Sequence, residues 1–131
     1  APPMKISIPV GAGELIDKIT ILTIKSERIT DEAKLVNIRH ELALLVEVRD
    51  QALGSFSELP QLQAALQTIN EALWEIEDDI RDRERAGDFG PKFIELARAV
   101  YVTNDRRAKA KRSVDEHVGS PIVEEKSYAE Y

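Results

Sequence analysis

The feature that most constrains the fold is a run of apolar residues spaced three and four apart in the middle of the chain. This a/d pattern is held for three heptads, by Leu59, Leu62, Leu66, Ile69, Leu73, Ile76 and Ile80. Such a pattern is typical of a long helix that buries one stripe against a neighbouring helix. A shorter run repeats the spacing upstream, at Leu35, Ile38, Leu42 and Leu45. The two runs predict a long antiparallel helical hairpin with coiled-coil packing.

Cap and turn residues divide the chain into four predicted helices. They cover about residues 14–29, 32–53, 58–85 and 91–117. Asp31 is a typical N-cap residue, and Gly87 is well placed to end the third helix. Pro60 and Pro91 fall in first helical turns, where the missing N–H costs nothing. The sequence therefore predicts a mainly α fold, a three- to four-helix bundle around the hairpin.

The two ends of the chain carry patterns that differ from the helices. Alternating apolar residues within residues 5–10 suit a short strand, which Pro9 limits to the edge of a sheet. A tail over residues 120–131 begins with Ile122 and Val123, which we expect to pair with that strand. Residues 1–3 precede the only methionine, Met4, and we expect them to be an addition ahead of the natural start. We treat residues 1–131 as one helical domain with short β segments near its termini.

Composition narrows the functional class. The chain has 18 basic and 24 acidic residues and a net charge of −6, which argues against binding nucleic acid or an anionic membrane over its whole surface. It has no cysteine, so it forms neither disulfides nor thiolate metal sites. No apolar stretch approaches the ~20 residues of a membrane span, and the start lacks the features of a signal peptide. We expect a cytoplasmic protein with no nucleic-acid partner, no metal and no cofactor.

A second stripe on the third helix lies about 100° away from the apolar seam. It contains Asn70, Trp74, Glu77 and Arg81. In one interpretation the stripe lines a ligand or partner site, in which Trp74 supplies contact area and the polar groups supply orientation. In the other, Trp74 packs beneath a neighbouring helix with its N–H satisfied.

The fourth helix contains an interrupted apolar face and a basic run. Asn104 interrupts the apolar face. In one interpretation it joins the Trp74 stripe, together with Tyr101 and either Arg107 or Arg106, to bind an anionic or sugar-like ligand; in the other it sets helix register in the core. Residues 106–112 carry five basic side chains and no acid. This run either binds phosphate groups or complements the helix dipole and the acidic third helix.

Two further patterns have a structural and a functional interpretation. Gly11-Ala12-Gly13 precedes a helix N-terminus, where backbone amides can hold an anion, although Glu14 would repel one. A row of carboxylates on the third helix suggests metal binding or acid–base chemistry, but it points away from the seam and has arginines nearby. The row contains Glu71, Glu75, Asp78 and Asp82. A solvated face is the favoured interpretation of this row.

Three motifs carry a resemblance that covers nearly the whole chain. They lie in residues 13–25, which begin Gly-Glu-Leu-Ile-Asp-Lys, in residues 70–81, which begin Asn-Glu-Ala-Leu-Trp, and in residues 104–111, which begin Asn-Asp-Arg-Arg-Ala. The chain resembles a family of small bacterial proteins of unknown function that are often encoded beside glycosyltransferases and other surface-polysaccharide genes. The resemblance implies a context, polysaccharide assembly, but no reaction and no catalytic residue.

The family motifs and the helical stripes select the same polar and aromatic residues. The candidate ligand- or partner-binding residues are Asp17, Lys18, Lys25, Asn70, Trp74, Glu77, Arg81, Tyr101, Asn104 and Arg107. The first hypothesis is a non-enzymatic accessory or interaction protein that binds a partner such as a glycosyltransferase through the Trp74 stripe. The alternative is a small all-α enzyme or binding module for an anionic metabolite or sugar nucleotide. We also expect a homodimer, because the third helix outruns the second and would leave apolar seam exposed.

Overall fold

The computed structural model describes residues 4–131, and this part of the chain forms four α-helices and no strand. Helix α1 spans Ala12–Arg28, α2 spans Glu32–Leu53, α3 spans Leu59–Ala86 and α4 spans Pro91–Val118. The mainly α fold is therefore confirmed. The residues of the predicted addition, 1–3, lie outside the described range. No helix within residues 4–131 has the length and apolarity that crossing a membrane requires.

The helix boundaries follow the cap residues that the sequence offers. The Asp31 side chain accepts a hydrogen bond of 3.1 Å from the backbone N–H of Lys34 at the start of α2. Gly87 ends α3 with a φ of 67°, in the left-handed region that an L side chain rarely adopts. A proline lies in the first turn of α3 and of α4. These local signals are confirmed because each acts on its own helix end.

The predicted terminal strand is wrong. Residues 5–10 form no strand, and Ile6 and Ile8 are 79% and 71% exposed. The two ends of the chain do lie close together, since Val10 and Ile122 line the same shallow pocket. A lone strand pair is marginal in water without a hydrophobic face to cover. No such face lies beneath these side chains.

Helix α1 is the centre of the molecule and packs against the other three helices. Ile16 and Ile19 are 0% and 1% exposed, and they share a core cluster with Leu66 of α3 and Val114 of α4. Helix α1 is therefore buried on more than one side. Burial of one short helix among three others provides the single core of the domain.

The predicted hairpin between α2 and α3 is not confirmed. Helix α3 makes its most extensive backbone contact with α4, whereas α2 packs mainly on α1. The part of the α3 seam that extends beyond α2 is half-buried within one chain, at Leu73, Ile76 and Ile80. The exposed seam from which we expected a homodimer is therefore absent from residues 4–131.

Gly13 allows a close approach between α1 and α4. A Cβ on Gly13 would lie 2.3 Å from the carbonyl oxygen of Lys111, so only glycine fits there. The Gly13 N–H donates to Asp115 Oδ1 over 2.7 Å, and the Ala12 N–H donates to Ser120 Oγ over 3.3 Å. The functional interpretation of this helix N-terminus as an anion site is wrong, because the Asp115 carboxylate already accepts the hydrogen bond from the Gly13 N–H. The crossing places Asp17, one turn along α1, beside α4.

Candidate functional site

A buried polar network lies where α1, α3 and α4 meet. Asp17 is 1% exposed, and its carboxylate accepts hydrogen bonds from Arg107 Nε over 2.9 Å and from Arg107 Nη2 over 2.5 Å. The amide of Asn70 donates to Asp17 Oδ1 and to Thr20 Oγ1, both over 2.9 Å. The Thr20 hydroxyl donates to the Asp17 carbonyl oxygen over 2.7 Å. The network joins three helices through one ion pair, and both oxygens of the Asp17 carboxylate have a donor.

The Asp17–Arg107 pair keeps both groups charged. Burial alone would raise the pKa of the Asp17 carboxyl, but hydrogen bonds from Arg107 and Asn70 and the charges of Arg107 and Lys111 outweigh it, so this pKa lies below its ordinary value. The hydrogen bond to Asp17 raises the pKa of Arg107 against the opposing effect of burial. A buried charge is tolerated when it is paired and hydrogen-bonded in this way.

A cleft of about 540 Å³ opens beside this network. Its lining combines apolar side chains from α1 and α3 with polar side chains from α3 and α4. The lining residues are Ile21, Ile24, Asn70, Leu73, Trp74, Glu77, Asp78, Arg81, Asn104 and Arg107. Trp74 is half-buried, so it is neither fully covered by a neighbouring helix nor fully exposed on the surface. We call this space the Trp74 cleft.

The structure brings most of the sequence-predicted candidates to this cleft. Asn70, Trp74, Glu77, Arg81, Asn104 and Arg107 line it, and Asp17 lies behind Arg107. Lys18, Lys25 and Tyr101 are not among the lining residues. Lys18 is exposed, and Tyr101 instead packs edge-on against Tyr131 of the tail, with ring centroids 5.2 Å apart.

Sequence reasoning missed Thr20 and the apolar floor of the cleft. Thr20 is 0% exposed and completes the network at Asp17. Ile21 and Ile24 form the floor on the α1 side. The sequence did contain one signal for this floor. Ile21 lies off the main apolar stripe of α1, which indicates that it faces something other than the core.

Three hydrogen-bond donors in the cleft have no partner among the described residues. They are Nη1 of Arg107, the Asn104 amide and the indole N–H of Trp74. They are open to solvent, since the only buried side-chain polar atom without a partner in residues 4–131 is His117 Nε2. Asn104 is half-buried, and its side chain makes no hydrogen bond to the described residues that would set helix register. Donors without partners, on residues that line the same cleft, are available to a ligand.

The basic run on α4 is partly neutralised within the molecule. Lys111 Nζ lies 2.8 Å from Glu14 and 2.5 Å from Glu124 of the tail. Arg112 lies 2.9 Å from Glu125. Burial lowers the pKa of Lys111, but its hydrogen bonds to Glu124 and Glu14 outweigh this effect and hold the pKa above its ordinary value.

The helices and the cleft define a small all-α protein in which three helices enclose a buried ion pair next to a tryptophan-lined cleft. The chain belongs to DUF6165, a family of unknown function whose model matches residues 4–131. No match was found among curated proteins or among solved structures. The resemblance to a family of unknown function is thus confirmed, whereas the bacterial and polysaccharide context stays a prediction.

Proposed function

We propose that this protein is a non-enzymatic binding protein and that the Trp74 cleft is its binding surface. The observation that carries the proposal is the set of unpartnered donors on Arg107, Asn104 and Trp74, which surrounds an apolar floor. Binding sites typically combine an apolar lining with a few polar groups that fix orientation. A half-buried tryptophan is also a frequent anchor of protein–protein contacts.

The protonation of the buried pair argues against Asp17 or Arg107 as a general acid or base. A general acid or base works best when its pKa lies near the working pH. Asp17 and Arg107 are instead shifted away from neutrality in opposite directions, so both stay charged. A fixed pair of this kind suits a rigid recognition element.

The proposed context is the assembly of bacterial surface polysaccharide in the cytoplasm, and the proposed partner is a protein such as a glycosyltransferase. The context comes from the family resemblance of the three sequence motifs. The Trp74 cleft is compatible with a protein partner because it opens at the surface and its rim carries charged side chains, Glu77 and Arg81, that are 44% and 78% exposed. A polar rim around an aromatic anchor is common in interfaces.

A second candidate is a small all-α enzyme or a binding module for an anionic metabolite or sugar nucleotide. The observation in its favour is the volume of the cleft, about 540 Å³, which falls within the range of small-molecule sites. Two cationic side chains, Arg81 and Arg107, line that volume together with two carboxylates, those of Glu77 and Asp78.

We also propose a homodimer, now on a different surface. On α2, Leu44 and Val48 lie one turn apart and are 37% and 48% exposed, and Val36, about two turns before Leu44, is 63% exposed. A second copy would bury this stripe. Sedimentation equilibrium should give a dimer for the wild type and a monomer for a Val36→Ser/Val48→Ser double variant. A monomer in both would remove this part of the proposal.

The experiment that tests the binding surface compares two aromatic variants. Trp74→Ala removes the cleft aromatic, and Tyr101→Ala is the matched control, because Tyr101 is an exposed aromatic outside the cleft. Affinity capture from cell lysate, and thermal shift with sugar nucleotides and sugar phosphates, would be run on the wild type and both variants. Circular dichroism would first establish that each variant is folded.

We expect a partner or ligand that binds the wild type and Tyr101→Ala but not Trp74→Ala. A ligand that binds the native state raises the melting temperature, so the two formats separate the two candidate functions. A captured protein with no thermal shift supports the interaction protein, and a thermal shift supports the small-molecule module. Binding that survives Trp74→Ala unchanged would contradict the proposed surface.

A further inference from the structure

We infer that the Trp74 cleft binds a ligand through a carboxylate group, and that Arg107 is the residue that selects it. The inference rests on the proposed function, because it names the chemistry that the same cleft recognises. It follows from the hydrogen bonds that Arg107 makes, the N–H groups that it leaves free, the charges around the cleft and the apolar floor.

Arg107 has one edge occupied and one edge free. A guanidinium carries five N–H groups in a planar fork. Asp17 accepts from Nε and from Nη2, which leaves one N–H on Nη2 and both on Nη1 without a partner in residues 4–131. Two parallel N–H groups at the end of a guanidinium match the two oxygens of a carboxylate. The free edge is therefore a ready bidentate site.

Asp17 holds the guanidinium in place before any ligand arrives. Its carboxylate is 1% exposed and is itself held by Asn70, which is 5% exposed and hydrogen-bonded to Thr20. Arginine side chains ordinarily lose much rotamer freedom on binding, and a prior constraint lowers that cost. The buried network therefore gives Arg107 a fixed plane, and Asp17 is its positioning residue.

The charges around the cleft favour a singly charged group. Glu77 and Asp78 offset Arg81 and Arg107 in the lining, and Asp17 adds a further negative charge directly behind Arg107. This surplus of negative charge opposes any anion, and it opposes a doubly charged phosphate about twice as strongly as a carboxylate. A carboxylate carries one charge and can accept from the neutral donors of Asn104 and Trp74 as well.

The rest of the ligand should be apolar or aromatic. Ile21, Ile24 and Leu73 form the floor, and Trp74 offers a ring for stacking or edge contact. A free aromatic acid and the carboxylate of a partner peptide share this chemistry. The experiment below distinguishes these two sources.

The test uses nuclear magnetic resonance, because Trp74 is the only tryptophan and gives a single indole N–H signal. The full chain, labelled with nitrogen-15, would be titrated with unlabelled indole-3-acetate and indole-3-acetamide, so that only Trp74 contributes an indole N–H signal. The two probes differ in one group, which is a charged carboxylate in the first and a neutral amide in the second. A second pair would be acetyl-Gly-Trp with a free carboxyl terminus and the same peptide with an amidated terminus. Phenyl phosphate would serve as the dianionic probe.

We expect at least one acid to bind about tenfold more tightly than its amide, since charged hydrogen bonds are about twice as strong as neutral ones. Preference for indole-3-acetate identifies a free acid as the source, and preference for the peptide identifies a partner chain. Arg107→Lys keeps a cation beside Asp17 but loses the two-pronged edge, so it should weaken the acid about fivefold or more. Arg85→Gln is the control and should change the affinity less than about twofold, because the Arg85 side chain is 80% exposed and does not line the cleft.

Several results would overturn the inference. Equal affinity for acid and amide, tighter binding of phenyl phosphate, an unchanged affinity in Arg107→Lys, or no shift of the Trp74 signal with any carboxylate would each do so. The proposed function fails separately, by retention of partner or ligand in Trp74→Ala. Loss of partner binding in Trp74→Ala together with equal acid and amide affinities would keep the cleft and reject the carboxylate.

Discussion

Replacement of Asp17 by asparagine tests the physical account of the site most directly. An asparagine side chain is nearly the same size and would still accept a hydrogen bond, but the negative charge opposite Arg107 would be lost. Removing one partner of a buried ion pair typically costs about 3–5 kcal/mol, because the remaining charge stays buried and unpaired. Arg107 retains 27% side-chain exposure and can reach water, so the expected loss lies at the lower end, about 3 kcal/mol.

The loss would be measured by urea denaturation at pH 7, monitored by circular dichroism. A domain of this size should also melt roughly 10 °C lower for a loss of that magnitude. The variant should remain folded, since such domains have about 5–15 kcal/mol of stability. Arg85→Gln is the matched control, because its partner Asp82 is 58% exposed and an exposed pair contributes about 0–1 kcal/mol. A loss below about 1 kcal/mol in Asp17→Asn would refute the account of a tightly coupled buried pair.

The same pair predicts how stability changes with pH. The pKa of Asp17 is lowered in the folded state, so its contribution is complete above the ordinary carboxyl pKa of about 4. This stabilising contribution is lost as the pH falls through the lowered pKa of Asp17 in the folded state. The stability difference between the wild type and Asp17→Asn should therefore be constant near neutrality and shrink below about pH 4. A difference that stays the same at about pH 3 would show that the charge of Asp17 is not its cause.

Three further substitutions test the packing that positions the site. Gly13→Ala should lower the free energy of unfolding, measured by urea denaturation, by at least about 2 kcal/mol, because its Cβ would collide with the Lys111 backbone. Gly119→Ala is the control: Gly119 has a positive φ and open space around it, so this variant should lose about 1 kcal/mol. Equal losses in the two variants would contradict the close approach at Gly13. Asp115→Ala should lower the melting temperature by a few degrees, through a loss of about 0.5–2 kcal/mol, since it leaves the Gly13 N–H uncapped. Leu66→Ala should cost about 2–5 kcal/mol by chemical denaturation, because Leu66 is 0% exposed; a loss below about 1 kcal/mol would place it outside the core.

The residues of the cleft show which parts of the site can be predicted from the sequence. Asn70, Trp74, Glu77 and Arg81 follow one another at helical spacing, so the sequence alone assigns them to one face of α3. Asn104 interrupts an apolar face, and that interruption is visible in the residue pattern itself. The spacing cannot tell that Arg107 would bind Asp17, 90 residues away, because no local pattern encodes which helices meet.

The sequence likewise predicts the individual helices but not which of them pack together. The apolar seam of α3 correctly predicted a long helix that buries one stripe, but it did not specify the partner, since an a/d pattern accepts any helix with a matching surface. In the structure, α3 packs against α4 and α1, whereas α2 packs mainly on α1. The contacts that join these helices connect residues far apart in sequence: Gly13 of α1 lies against α4, and Asp17 of α1 binds both Arg107 of α4 and Asn70 of α3.

The helices, their ends and the residues worth testing can be predicted from local patterns, because periodicity, caps and turn residues act over a few neighbours along the chain. The fold was needed to establish which helices pack together, which charges are neutralised and which donors stay free. Burial and ion pairing depend on residues that are distant in sequence. For that reason Arg107 could be selected as a candidate from the sequence, whereas its occupied edge towards Asp17 and its free edge in the Trp74 cleft emerged only from the fold.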